Sequence, residues 1–385
     1  MAFGLYLHWP YCESKCPYCD FNSHVAERID SARWISAYRQ EIERVAALTS
    51  NEVLSTIFIG GGTPSLMPSE IVSAIIDTAK RSWRCANELE VSMEANPGSV
   101  EIGRFRAYRE AGVNRISLGI QSLDDLHLKL LGRKHTSADA VKAIGIAQET
   151  FERINLDLIY GRQHQSPAEW RDELKKALSF QTGHLSLYQL TIEDGTVFSK
   201  RLAAGQLLGL PDEDKAVAFF ESTQELCDDA GLTAYEVSNH GRPGEECRHN
   251  LIYWNGKSYA GIGPGAHGRL GQGSRRLATE AVRNPLSWLK AVERLGSGDC
   301  TATPLDAQEQ STEAILMGLR LTAGIPLADL HSLGIDTDGW QSMKRMIQDG
   351  FLRECHSALS TTKKGRLLLN AVIKELLSDL RLRQT

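Results

Sequence analysis

Residues 8–21 read HWPYCESKCPYCDF, and this short loop decides how the whole chain is interpreted. It spaces Cys12, Cys16 and Cys19 as Cys-x3-Cys-x2-Cys, directly after an apolar, strand-like segment at residues 3–8. Thiolates are the protein ligands of iron–sulfur clusters. Three thiolates on one tight loop can bind three irons of a four-iron cube and leave the fourth open to an exchangeable ligand. The loop therefore predicts a [4Fe–4S] cluster with one open iron, which the amino and carboxylate groups of S-adenosylmethionine (SAM) suit.

Two other interpretations of the cysteines are weaker. A zinc knuckle completed by His8 or His24 is one, but zinc sites usually add a second cysteine or histidine pair elsewhere in the chain. Disulfides are the other. The first residues lack the basic stretch of a secretory signal, so we expect a cytoplasmic protein, in which tight cysteine spacing favours a metal or catalysis.

The composition excludes several classes of protein. The chain has 385 residues, 42% of them hydrophobic, which is enough to bury a sizeable core. A net charge of −5 gives no basic excess for binding nucleic acid. No stretch of about 18 apolar residues predicts a membrane span. Association with a membrane surface and a homodimer both stay open.

Strand-like and helix-like segments alternate through the first two thirds of the chain. We expect strands at residues 3–8, 56–59, 89–93, 115–118, 154–159 and 185–190, and helices at 31–48, 69–79, 100–111, 138–148, 167–180 and 212–229. Six strand–helix units in a row indicate parallel strands with helical crossovers. The sequence therefore predicts an α/β fold built on a partial (β/α)6 barrel.

The pattern changes after residue 237, which gives three predicted regions. Residues 1–237 form the barrel, residues 238–300 a connecting segment rich in glycine, asparagine, histidine and aromatic residues, and residues 301–385 a C-terminal domain. Short helices surround a strand pair in the last region. It is therefore predicted to be mainly helical and winged-helix-like.

Several polar residues follow the predicted strands at one end of the barrel. The run GGGTP at residues 60–64 ends the second strand, Glu94 ends the third, Gln121 and then Arg133 follow the fourth, and Asp157 lies within the fifth. In parallel barrels the active site lies at the carboxyl ends of the strands. Together these residues suit a ligand with an amino-acid head and a ribose. Each alone is equally consistent with a salt bridge or a helix cap.

The run HNLIYW at residues 249–254 combines an imidazole with two large aromatic side chains. Neutral imidazole is a common axial ligand of haem, and aromatic side chains pack on the macrocycle. From composition alone, a buried histidine that fixes a loop is the more economical interpretation. His249, His267 and Cys247 all remain candidates for an axial ligand.

These residues mark a resemblance to the oxygen-independent coproporphyrinogen III oxidase family of the radical SAM superfamily, and within it to the HemW-like haem-chaperone branch. The resemblance covers nearly the whole chain. It rests on the cysteine loop and on residues 60–64, 93–98, 118–122, 156–161, 236–239 and 249–254.

The resemblance implies a radical SAM partial barrel followed by the C-terminal domain of the family. It implies that Cys12, Cys16 and Cys19 bind the cluster, and it favours His249 as the haem-binding histidine. The residues that it implies contact SAM are Tyr6, Tyr18, Gly61, Gly62, Thr63, Glu94, Gln121, Arg133 and Asp157. In this family a reduced cluster can cleave SAM to a 5′-deoxyadenosyl radical. The expected function is to bind haem and deliver it to respiratory proteins.

Two features separate the chain from the oxidase itself. The oxidase has a fourth cysteine where this chain has Phe21, and an extension before the cluster loop, whereas here eleven residues precede Cys12. Both argue against oxidative decarboxylation of coproporphyrinogen III, although a radical SAM enzyme acting on that or a related tetrapyrrole remains the alternative. The family usually continues with Leu-Pro after Gly161, where this chain has Arg162-Gln163-His164.

Overall fold

The computed structural model describes residues 2–25, 28–99 and 102–382. The predicted helix start at Val100 and the predicted domain ends, Met1 and residues 383–385, lie outside these ranges.

Six parallel strands form the centre of the molecule, and each pairs with the next in chain order. They are β1 (Ala2–Trp9), β2 (Val53–Gly61), β3 (Arg84–Ala95), β4 (Arg115–Gln121), β5 (Arg153–Tyr160) and β6 (His184–Gln189). The helices between and after them are α1 (Ser31–Leu48), α2 (Ser69–Ser82), α3 (Ile102–Glu110), α4 (Asp125–Leu130), α5 (Ser137–Thr150), α6 (Pro167–Leu178), α7 (Val197–Ala203) and α8 (Glu213–Asp229). All six predicted strand–helix units are present.

Local sequence explains where these helices begin and which face they bury. α1 begins after Asp30, whose carboxylate accepts a hydrogen bond from the Arg33 amide, and its buried Trp34, Tyr38 and Ile42 recur at intervals of four residues. Capping boxes start α5 and α6. Along β4, β5 and β6 apolar and polar side chains alternate, because one face packs in the core and the other lines the inside of the barrel, where Ser117, Asp157 and Ser186 lie.

The sheet continues beyond the six predicted units. The added strands are β7 (Thr233–Ala234), β8 (Asn239–Gly241), β9 (Tyr259–Ile262), β10 (His267–Leu270), β11 (Leu277–Ala281) and β12 (Asp299–Pro304), giving the order β12-β11-β10-β9-β1-β2-β3-β4-β5-β6-β8-β7. β9 is parallel to β1, with Tyr6 opposite Gly261. Residues 238–300 thus extend the sheet and contribute α9 (Arg248–Trp254) and α10 (Pro285–Leu295). The division at residues 237 and 300 stays a prediction.

The C-terminal region has its own hydrophobic cluster, which includes Ile315, Leu359 and Leu376. Its elements are α11 (Ala307–Gly318), β13 (Ile325–Pro326), α12 (Leu327–Ser332), α13 (Gln341–Gln348), β14 (Leu352–Cys355), β15 (Ala358–Thr361), α14 (Lys363–Leu367) and α15 (Leu369–Ser378). The strands form a small antiparallel sheet in the order β13-β15-β14. The predicted fold class, an α/β barrel followed by a mainly helical C-terminal domain, is confirmed. Within the described residues, no helix is both long and apolar enough to span a membrane.

Candidate functional site

A cavity of about 1360 Å³ opens at the carboxyl ends of the parallel strands and extends into the barrel. Every site residue predicted from the sequence lines it: Tyr6, Cys12, Cys16, Tyr18, Cys19, Gly61, Gly62, Thr63, Glu94, Gln121, Arg133, Asp157 and His249. These residues come from strands far apart in the sequence. The fold therefore brings the whole predicted set to one place.

The cysteine loop leaves β1 and crosses the mouth of this cavity. Cys12, Cys16 and Cys19 are half-buried free thiols. Two groups donate hydrogen bonds to the sulfurs: the Thr63 hydroxyl to Cys12 Sγ at 3.3 Å and the Arg133 guanidinium to Cys16 Sγ at 3.4 Å. Burial raises the pKa of the Cys12 and Cys19 thiols, and the hydrogen bond from Thr63 opposes this shift at Cys12.

The backbone around the loop leaves room only for glycine. A Cβ atom at Gly62 would lie 2.7 Å from the Tyr11 carbonyl oxygen and 3.1 Å from Cys12 Sγ. Gly61 has a φ of +117°, and its amide donates to Glu94 at 3.2 Å. Three accessible thiols, donors to their sulfurs and this close backbone approach fit an iron–sulfur cluster held by the loop.

The two histidines considered for a zinc knuckle, His8 and His24, both have hydrogen-bond partners. His8 is engaged at both ring nitrogens, by the Tyr6 hydroxyl at 3.0 Å and by the Asn22 carbonyl oxygen at 2.9 Å. His24 Nε2 lies 3.3 Å from the Asn22 side-chain oxygen. Among the described residues, no three histidine, cysteine or acidic side chains converge closely enough to hold a single ion.

Two half-buried carboxyl groups, Glu94 and Asp157, line the cavity. Burial, and then the charge of Asp157, raises the pKa of Glu94 to about 8. Asp157 accepts hydrogen bonds from Ser117 at 2.9 Å and Asn155 at 2.7 Å, and burial raises its pKa as well. An ammonium group beside Glu94 would stabilise the ionised carboxylate. The pair can therefore bind a cationic ligand, although the hydrogen bonds of Asp157 also fit a structural role.

Gln121 and Arg133 lie on the connection after β4. Gln121 has a φ of +64°, a left-handed conformation that non-glycine residues rarely adopt, at the point where the strand enters the cavity. Arg133 donates to the Gly119 carbonyl oxygen at 3.2 Å as well as to Cys16. Its guanidinium thus ties the end of β4 to the cysteine loop.

The imidazole of His249, at the start of α9, is completely buried. Its Nδ1 lies 2.6 Å from the Thr56 hydroxyl and its Nε2 lies 2.6 Å from the Tyr253 hydroxyl. Burial lowers the pKa of His249 to about 3, so the ring is neutral, as a metal ligand must be. Since both nitrogens have partners, iron ligation by His249 requires one of these hydrogen bonds to be released.

The other two candidate axial ligands have different surroundings. Cys247 is buried beside Glu90, its sulfur 3.8 Å from the carboxylate, and burial raises its pKa to about 11. His267 is exposed and lines a second cavity of about 930 Å³, next to the first. Its Nε2 lies 3.9 Å from Glu280.

Two buried charged residues of the barrel strands, Glu90 and Arg115, were not predicted from the sequence. Glu90 is buried on β3, pairs with Arg153 at 2.7 Å and accepts from the His249 amide at 3.2 Å. Burial would raise its pKa, but Arg115 and Arg153 hold it below the ordinary value. Arg115 is buried at the start of β4 and lines the cavity. The signal that singled out Asp157, a charge inside an apolar strand, was present for both.

The unusual Arg162 lies outside the cavity lining. Its guanidinium is buried and forms an ion pair with Glu173 of α6. The same carboxylate accepts from the Ser122 hydroxyl at 2.7 Å and the Leu123 amide at 2.6 Å. Arg162 also donates to the Gln121 carbonyl oxygen at 3.4 Å. The pair therefore anchors the connection that carries Gln121.

Comparison with known protein families gives two matches. Residues 6–177 match the radical SAM superfamily, and residues 305–368 match the HemN C-terminal domain. The first match contains the cysteine loop and the strand-end residues. The second covers most of the C-terminal region.

Several full-length relatives are similar to the chain. "Heme chaperone HemW" of Escherichia coli is 36% identical over 98% of each protein, and that of Bacillus subtilis is 32% identical over 97% of this chain and 99% of the relative. "Radical S-adenosyl methionine domain-containing protein 1, mitochondrial" of Bos taurus is 35% identical over 98% of this chain and 88% of its own. The solved structure of coproporphyrinogen III oxidase (HemN) from Escherichia coli shares the fold, with a TM-score of 0.81 at 19% identity, covering 97% of this chain and 89% of that one.

Proposed function

The chain belongs to the HemW haem-chaperone family within the radical SAM superfamily, and on this premise we propose that it binds haem and transfers it to acceptor proteins. The observation that carries the proposal is the position of α9, whose His249 and Tyr253 line the same cavity as the cysteine loop. We further propose that the acceptors are respiratory haem proteins and that the protein acts in the cytoplasm.

We also propose that Cys12, Cys16 and Cys19 hold a [4Fe–4S] cluster with SAM at its open iron. When bound, this pair supplies one-electron chemistry. The residues of the chain bind and orient: Thr63 and Arg133 donate to two of the sulfurs, and the half-buried Glu94 would offer a carboxylate to the ammonium of the ligand.

Haem titration of the anaerobically reconstituted protein tests the proposed function. We expect a Soret band that saturates at one haem per chain. If no stoichiometric binding occurs, the proposal is wrong. Incubation with SAM, reductant and coproporphyrinogen III tests the alternative, and formation of protoporphyrinogen would favour an enzyme over a chaperone.

The cluster is tested separately. Cys16→Ser should lower the iron and acid-labile sulfide content because it removes one of three ligands. The matched control is Cys300→Ser, since Cys300 is exposed and distant in sequence from the loop. Equal iron content in the two variants would contradict the proposed cluster site.

A further inference from the structure

The C-terminal region brings two guanidinium groups to the wall of the main cavity. Arg320 follows α11 and Arg366 lies on α14, and both line the cavity that contains the cysteine loop and α9. One buried carboxylate, Glu236, carries the opposite charge and interacts with both guanidinium groups. It belongs to the segment that links β7 and β8. Neither arginine belongs to the predicted SAM or cluster site.

The hydrogen bonds of this group are incomplete. Glu236 Oε1 accepts from the Ser238 amide and the Asn239 side chain, both at 2.7 Å, whereas Oε2 lies 3.9 Å from Arg320 Nε. Within residues 2–25, 28–99 and 102–382, the solvent-inaccessible atoms Glu236 Oε2, Arg320 Nε and Arg366 Nη1 have no hydrogen-bond partner. Leaving charged groups unsatisfied away from water is unfavourable. Glu236 therefore leaves both guanidinium groups without a complete set of hydrogen bonds.

The charges around Arg366 are also unbalanced. Burial lowers the pKa of Arg366, Glu236 opposes that shift, and Arg320 and Arg353 add to it. The guanidinium groups of Arg366, Arg320 and Arg353 are thus balanced by only one carboxylate among the groups that shift this pKa, that of Glu236. An anionic ligand would remove the imbalance, and a guanidinium matches a carboxylate through paired N–H donors.

An aromatic contact connects this group to the HNLIYW segment. The Arg320 guanidinium carbon lies 5.0 Å from the centre of the Trp254 ring, at the end of α9. His249 lies at the other end of the same helix. Arg320, Tyr253 and His249 line the main cavity, whereas Trp254 lines the second cavity beside it. A tetrapyrrole presents the matching features: carboxylate side chains, an apolar face and a central metal.

We propose that Arg320 and Arg366 bind the carboxylate side chains of a tetrapyrrole in the main cavity. This inference rests on the proposed function, because it names how the haem would be held. It gives the C-terminal region a role in selecting tetrapyrroles with free carboxylates. An inorganic anion such as phosphate shares the guanidinium chemistry and is distinguished by the test.

The test compares haem with haem dimethyl ester, in which both carboxylates are esterified. The full-length protein is titrated with each and followed by the Soret band. We expect haem to bind about tenfold or more tightly than the ester, as one charge-assisted contact suffices for such a ratio. The double variant Arg320→Gln/Arg366→Gln should bind haem only as tightly as the ester. Arg345→Gln, an exposed arginine of the same region, should behave as the wild type.

The outcomes separate the inference from the proposed function. If the wild type binds neither compound, the proposed function fails. If it binds both equally, or if the double variant binds haem as the wild type does, only the arginine site is wrong. Competition by inorganic phosphate against haem and ester alike would indicate a site for free anions and would also overturn it. Arg366→Lys, which keeps the charge, is the second variant if the double variant does not fold, and it should retain part of the preference for haem.

Discussion

His249 is held in place by two hydroxyl groups, and this arrangement limits how it can reach a metal. Its ring is neutral, but Thr56 and Tyr253 occupy both nitrogens. Tyr253 belongs to the same helix and lines the cavity, whereas Thr56 belongs to β2. If His249 were to bind the haem iron, release of Nε2 from Tyr253 would be the simpler route, with Thr56 keeping the ring oriented through Nδ1.

This arrangement predicts opposite effects for two substitutions. Tyr253→Phe keeps the ring that packs on His249 and removes only the hydroxyl, so haem should bind about fivefold more tightly, as expected when a competing hydrogen bond of about 1 kcal/mol is removed. His249→Gln should weaken haem binding and shift the Soret band. His267→Ala is the control. If His267→Ala weakens haem binding and His249→Gln does not, His267 is the ligand.

Arg162 and Glu173 give a second prediction for single residues. Arg162→Leu restores the residue typical of the family but leaves a buried carboxylate without its cation, which costs about 3–5 kcal/mol in unfolding free energy. In Arg162→Leu/Glu173→Gln the neutral amide still accepts from Ser122 and Leu123. We therefore expect the double variant to recover most of the loss in urea denaturation. If the losses in unfolding free energy of Arg162→Leu and Glu173→Gln add up to the loss of the double variant, the two residues are not coupled.

Among the elements, the turn after β2 constrains the cysteine loop most directly. Gly62→Ala would place a methyl group against the Tyr11 carbonyl and Cys12 Sγ, so the loop must move. We expect the variant to fold but to retain less iron and sulfide after reconstitution. Gly145→Ala is the matched control: Gly145 is exposed in α5 with open space at its Cβ position, so alanine should leave the iron content unchanged and stabilise the helix by about 0.5–1 kcal/mol. Equal iron content in both variants would contradict the role of this turn.

The elements that the sequence predicted are those with local signals. The six barrel strands and their helices have clear periodicity, caps and length, and α1 has the predicted bounds, Ser31–Leu48. β9 and β10 were missed because each has four residues including a glycine, and because the partner of β9 is β1, more than 250 residues earlier. Arg320 and Arg366 were also not predicted as site residues, because their neighbours in the cavity are distant in the sequence. Their position at the cavity depends on how the C-terminal region docks, which no local pattern reports.

At the scale of the whole molecule, the two hydrophobic clusters are joined beside the cavity. The amide of Thr322 donates to the Tyr235 carbonyl oxygen at 2.9 Å, and Arg269 pairs with Glu313 at 2.7 Å. Val237 packs against the C-terminal cluster. The cavity wall thus includes both regions, so docking of the C-terminal region completes the cavity that the barrel begins.

The size of the main cavity leads to a prediction about SAM and haem, its two expected ligands. Gly61, one of the residues predicted to contact SAM, lies at the end of β2, whereas Thr56, which holds His249, lies five residues earlier on the same strand, or about 17 Å at the rise of an extended strand. Tyr6, another of the predicted SAM residues, lies between these levels, opposite Phe58. The volume of about 1360 Å³ exceeds the roughly 300–1,000 Å³ of a pocket for one small ligand. SAM and haem should therefore bind at the same time. We expect saturating SAM to change the haem dissociation constant less than about threefold, a coupling below 1 kcal/mol. Cys16→Ser, in which we expect a weakened cluster, is the control. It shows whether any effect of SAM on the haem dissociation constant depends on the cluster. A haem dissociation constant that rises in proportion to SAM concentration would mean that the two ligands exclude each other from a single space.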